Sequence, residues 1–165
     1  MDTPIISEEL LKANSPITPD TVISGFVPYV AIVQNIYIEP VLGIALMDEL
    51  KMQIKENTLT PLNSALIQKI APPLAYFTAY QALPFHWAKI VNKGITIKES
   101  ENSKGVSIDD VAQLRRWLRT DAEMLLKLLA AYLCKHKADY PLWRPDRDYC
   151  GNSSKSGFDA GIFMK

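Results

Sequence analysis

The side chains with the strongest claim to chemistry are two histidines, two cysteines, three carboxylates and three arginines. His86 sits between Phe85 and Trp87, a setting that suits a core or boundary residue better than a general base. His136 lies between Lys135 and Lys137 at an expected helix end, where a cation complements the helix dipole. Cys134 and Cys150 are too few for a disulfide framework and lack zinc-type spacing, so the sequence predicts two unpaired thiols. Glu39, Asp48 and Glu49 are close along the chain but read as solvated helix-surface carboxylates. There is no HExxH, no P-loop, no GxGxxG after a strand and no nucleophile elbow. The expectation is a protein that is not an enzyme, with no catalytic residue, no cofactor-binding residue and no metal site.

Arg115, Arg116 and Arg119 flank Trp117 and could meet phosphate. A pI near 6.7 and the lack of a binding motif argue against duplex recognition. These arginines are expected instead on a solvated face or a salt-bridged subunit interface. Tyr76, Tyr80, Phe85 and Trp87 form an aromatic group that could hold a small ligand.

The elements that must position these residues are helical. At 165 residues, 48% hydrophobic and 22% charged, the chain suits one soluble domain with a real core. No apolar run reaches the roughly 18 residues of a membrane span. The opening MDTPIISEELLKANS lacks the basic flank and apolar centre of a signal peptide, which predicts a cytoplasmic product. Net charge is zero but sorted. Residues 1–60 carry eight acids and three bases, a balance of −5, and residues 61–165 carry ten acids and fifteen bases, a balance of +5. Such sorting fits an acidic and a basic face that meet between copies or across a partner contact.

Residues 27–56 organise the chain. Val30, Val33 and Ile36/Tyr37 recur at helical spacing, then Leu42, Leu46, Leu50 and Ile54 line a second helix. Tyr37-Ile38-Glu39-Pro40 is the expected break, with Pro40 in the first turn of the second helix. Ser7 should cap a short helix that ends at Asn14-Ser15-Pro16. Thr18-Pro19-Asp20 should open another element, with Gly25 and Pro28 marking a weak point. Thr60-Pro61 should start a helix that Pro72-Pro73 breaks and that resumes over 74–91, kinked at Pro84. Asn92-Lys93-Gly94 reads as its stop, and residues 95–106 as a short strand and exposed excursion, either contact arm or plain connector. Residues 107–138 form the clearest helix, roughly 45 Å long at ~1.5 Å per residue. Ser107 caps it, and Ile108, Val111, Leu114/Leu118, Leu125, Leu128/Leu129 and Tyr132 form its apolar stripe. The predicted fold is all-α, a bundle of about four to six helices over residues 1–143, with an extended C-terminal tail over 144–165.

The order Gln34…Tyr37-Ile38-x-Pro40-Val41-Leu42-Gly43-x-x-Leu46-x-x-x-Leu50 resembles small virion proteins in phages and prophages of Bacteroidota, of the crAss-like type. Ile70-x-Pro72-x-Leu74-Ala75-Tyr76, Asn92-Lys93-Gly94-Ile95 and the opening Ile5-Ile6-Ser7-Glu8-Glu9-Leu10-Leu11-Lys12 fit the same pattern. The likeness covers roughly residues 5–135 and leaves the tail outside. Met47 stands where an aromatic is expected, a departure that touches packing.

That family resembles the head–tail connector adaptors of tailed phages, helical-bundle proteins that form a ring beneath the portal and extend the DNA channel. The resemblance implies a homo-oligomeric ring, a dodecamer, in the virion neck. It also implies contact with the portal protein and with further tail or ring proteins. Genomic DNA would pass without sequence-specific binding, and no membrane is involved. Phe158, Ile162, Phe163 and Met164 would then be a docking peptide for the portal or another partner, and Arg115, Arg116 and Arg119 a subunit interface. The competing reading is a small cytoplasmic helical binding module with an aromatic ligand pocket.

Overall fold

The computed structural model describes the backbone of residues 3–17, 23–91, 94–97 and 107–151, and the side chains of these except over 87–97. Glu8–Ala13 form α1, whose cap Ser7 accepts a hydrogen bond from the Leu10 N–H and whose first turn carries Glu8 and Glu9. A 3₁₀ turn at Ile23–Gly25 leads into α2, Val27–Val33, with Pro28 in its first turn. The helix does not stop at Tyr37–Pro40. It widens into a π turn over Gln34–Ile38 and continues as α3, Glu39–Leu42. The break falls at Gly43, after which α4 runs Ile44–Glu56.

Pro40 sits just past the π turn in the first turn of α3, and the corner is made by Gly43 instead. Gly43 has φ 79° and ψ 152°, a region open in practice only to glycine. A Cβ there would also collide with the backbone carbonyl of Arg144. A segment from a hundred residues away therefore lies directly on the corner.

Helix α5 is Pro61–Trp87, and it runs through Pro72, Pro73 and Pro84 instead of breaking at the first pair. Each interior proline costs about 3 kcal/mol. Leu66, Ile70, Leu74 and Phe77 on the same helix are almost fully buried, at about 2 kcal/mol or more each. Packing outweighs the local penalty because α5 is central: α6 lies along one side of it, and α1 and α2 pack against it elsewhere. Its start is as expected, with the Asn63 N–H bonded to the Thr60 hydroxyl at 3.2 Å.

The helix ends at Trp87, before the expected stop. Ala88–Val91 form β1 and Gly94–Ile97 form β2, an antiparallel pair with Val91 opposite Gly94 and Ala88 opposite Ile97. The expected strand around Ile95 and Ile97 is thus present with a partner strand that helical spacing had hidden. Helix α6 is Ile108–Lys135, capped by Ser107, whose hydroxyl accepts from the Asp110 N–H at 3.1 Å. It stops three residues before the expected end.

The architecture is an all-α bundle with one short hairpin, built on a single core. Val111, Leu118, Ala122, Leu129, Ala130 and Leu133 are the buried positions of α6, whereas Ile108, Leu114 and Leu128 of the expected stripe are exposed. Residues 144–150, expected in a tail, lie on the bundle, with Tyr149 packed against the core. Thr18-Pro19-Asp20, residues 98–106 and residues 152–165 lie outside the described residues.

Replacing Gly43 by alanine should lower unfolding free energy by about 3 kcal/mol or more, since backbone strain and the Arg144 clash act together. Urea denaturation of the G43A variant measures this, and a loss under about 1 kcal/mol would remove the corner from this role.

Candidate functional site

Helix α3 ends at Gly43, so its last carbonyls have no partner in the helix. Two of them are bonded by residues that follow α6. The Trp143 indole N–H donates to the Val41 carbonyl at 2.8 Å, and the Asp146 N–H donates to the Pro40 carbonyl at 3.0 Å. Trp143 is buried. Residues 143–150 form a strap across the corner, and its far end is tied by a disulfide between Cys134 and Cys150. The expectation of two unpaired thiols is corrected. The Cα atoms stand 5.5 Å apart, within disulfide reach, because the Trp143 anchor turns the chain back toward the end of α6.

The same strap closes a cleft of about 260 Å³ lined by Tyr37, Phe77, Leu126, Lys127, Arg147 and Tyr149, with Glu123 at its edge. Tyr37 belongs to the π turn and stacks on Phe77 with ring centroids 3.9 Å apart. Its hydroxyl accepts a hydrogen bond from Gln81 at 3.0 Å. The Arg147 guanidinium lies 4.8 Å from the Tyr149 ring centroid. Aromatic walls with two cations at the rim suit an aromatic or acidic side chain of a partner. The other side of the π turn is structural. Buried Gln34 accepts from the Ile5 N–H at 2.8 Å and donates to the Thr3 carbonyl at 3.2 Å, fastening the N-terminal segment.

The residues expected to be functional are dispersed. Arg115 turns inward, 4.4 Å from the Tyr80 ring centroid, and its Nε donates to the Tyr80 carbonyl at 3.4 Å. That carbonyl is the one Pro84 leaves without an intrahelical donor, so Arg115 completes α5. Arg116 bonds Gln113 at 2.6 Å, and Arg119 pairs with Glu123 at 2.7 Å, which raises the already high pKa of the guanidinium. The three arginines do not form one patch. Of the aromatic group, Tyr80 is taken by Arg115 and Phe85 stacks on Tyr29, while the Trp87 side chain lies outside the described ones. None of Tyr76, Tyr80, Phe85 and Trp87 is among the residues that line the cleft at Tyr37, so that cleft is a different one from that expected.

His86 stacks on Phe26 with centroids 4.1 Å apart, in keeping with a boundary role. His136 caps α6 and its Nδ1 lies 3.1 Å from Asp139. Glu49 accepts from Gln53 and, at 3.4 Å, from Asn63; no group of three metal-ligating side chains occurs among the described residues. No helix among them is long and apolar enough to cross a membrane. Phe158, Ile162, Phe163 and Met164 lie outside the described residues. Sequence reading missed Trp143, Asp146 and the disulfide; a tryptophan between two prolines after the last long helix was the available signal.

Fold and site together define an all-α bundle whose bent second arm is locked by a C-terminal strap. Residues 38–153 match a family of unknown function (DUF6712), and the chain belongs to that family. The matched region takes in the corner, the strap and both cysteines. No curated protein and no solved structure matches the chain.

Two expectations follow. Closing a loop of 16 residues, the disulfide should contribute about 3 kcal/mol. Thermal unfolding of the wild type with and without reductant, beside the C134S/C150S double variant, tests this. Reductant should lower the wild-type Tm to that of the variant and leave the variant unchanged. The second concerns Tyr140, whose hydroxyl donates to the Leu62 carbonyl and meets the Tyr132 hydroxyl, each at 3.2 Å. Burial first, then the bond to Tyr132, raises its pKa above the ordinary value near 10. The folded phenol keeps its proton to higher pH than the unfolded one. Its contribution is therefore whole below pH of about 10 and declines as pH rises beyond it. The Tm of a Y140F variant should fall less steeply above that pH than the wild type's.

Proposed function

We propose that this chain is a non-enzymatic structural protein of the virion neck, a subunit of the ring that joins portal to tail and extends the DNA channel. The observation that carries the reading is the run from Gln34 to Leu50. Its resemblance to connector adaptors rests on Gln34, Tyr37, Ile38, Pro40, Val41, Leu42, Gly43, Leu46 and Leu50; seven of these nine are buried, and Tyr37 and Pro40 are half-buried. A motif held mostly inside the bundle suits a building block, because it specifies the angle of a rigid arm. The outer surface meanwhile presents large apolar side chains, among them Ile36, Ile44, Trp117, Met124 and Leu128. Exposed apolar groups of this size favour protein contacts.

In this reading the chain assembles as a twelvefold ring on the portal protein, binds further tail or ring proteins, and lets genomic DNA pass without reading its sequence. Co-expression with its portal protein and negative-stain micrographs test the proposal. Rings seated on the portal are expected; portal particles without added density would overturn it.

The cleft at Tyr37, Phe77 and Tyr149 favours a second reading, a small helical module that binds an aromatic ligand. Saturable binding of such a ligand to a monomer, lost in a Y149A variant, would favour that reading.

A further inference from the structure

Trp117 is 61% exposed on α6, an unusual position for the largest apolar side chain. It stands in the segment Arg115–Arg119, which holds three arginines and no acid. Arg116 and Arg119 flank it at the surface, and the nearest acid on that side is Asp121, one turn further along. Elsewhere on the same chain an apolar cleft of about 270 Å³ opens between the N-terminal segment, α1 and α2. Pro4, Ile6, Leu11, Val27 and Val30 line it, and Glu8 stands at its edge. Glu9 follows in the same acidic first turn, with Lys12 in the last turn of α1.

We propose that Trp117 of one copy inserts into this cleft on the next copy, an inference that rests on the ring reading. Size agrees, since an apolar cavity of about 150 Å³ already accepts a benzene. Charge agrees too: Arg116 and Arg119 come up to Glu8 and Glu9, a pairing of basic and acidic faces that the sorted sequence charge fits. The exposed Arg119–Glu123 pair is cheap to exchange for an intermolecular one. No residue of α6 lines the cleft, so knob and hole are separate surfaces of one chain. Their contact is head-to-tail, the kind that closes rings by rotation.

The test uses the full chain in analytical ultracentrifugation from micromolar to near-millimolar concentration. It compares the wild type, W117A, V27R and an equimolar mixture of the two variants. Val27 is 41% exposed at the cleft, so arginine there blocks the hole without entering the core. Circular dichroism melts should show both variants folded. The wild type should self-associate and each variant should be monomeric. The mixture should give dimers and nothing larger, because one intact knob meets one intact hole. A monomeric wild type, association of W117A equal to wild type, or a monomeric mixture overturns the contact. So does a photo-crosslinker at position 117 that captures the portal protein rather than a second copy. Rings on the portal formed equally well by W117A would sink this contact and spare the connector reading. Association through Trp117 with no ring on the portal would do the reverse.

Discussion

The rest of the structure depends on how two backbone carbonyls are satisfied at the end of α3. A helix that stops inside a protein leaves its last carbonyls without donors, and burying them unpaired costs about 1–3 kcal/mol each. Here the indole of Trp143 and the N–H of Asp146 serve Val41 and Pro40. The strap can come that close because Gly43 has no side chain. One residue without a Cβ thus permits the corner, the capping and the return of the chain to Cys134. The arm, the strap and the end of α6 form one mechanical unit.

A comparable settlement holds the centre of the bundle together. Three prolines would end most helices, yet α5 continues through all of them. Burial on its several sides supplies the free energy, and Arg115 on α6 bonds the Tyr80 carbonyl that Pro84 frees. The arginine that looked like a surface contact is a bridge between two helices. Its neighbours Arg116 and Arg119 keep to the outside, which leaves Trp117 between exposed cations. One residue of spacing separates a structural role from a surface one.

The buried polar side chains Gln34, Asn63 and Thr78 all have partners within the chain. The features left over are on the surface: an aromatic cleft under the strap, an apolar cleft beside α1, and an exposed tryptophan. Membership of a family of unknown function names no activity, and these surfaces are where one must be sought.

The sequence by itself determined whatever is local. Ser7 and Ser107 cap the helices they were expected to cap, Thr60-Pro61 opens α5, and Leu46 and Leu50 of α4 are buried as their spacing of four prescribes, with Ile54 half-buried after them. Such features follow from nearest-neighbour backbone chemistry and helical period. Tertiary structure decided the rest, in each case by a contact between distant residues. Pro72-Pro73 is tolerated because other helices surround it. The corner sits at Gly43 because the strap arrives there. Cys134 and Cys150 pair because Trp143 is anchored far away on Val41. The long apolar stripe of α6 divides into buried and exposed members because α5 covers only one flank. Residues 27–56 read as two helices with a break at Tyr37–Pro40; that the break moves on to Gly43, and the residues before it widen into a π turn, depended on what the rest of the chain brought against them.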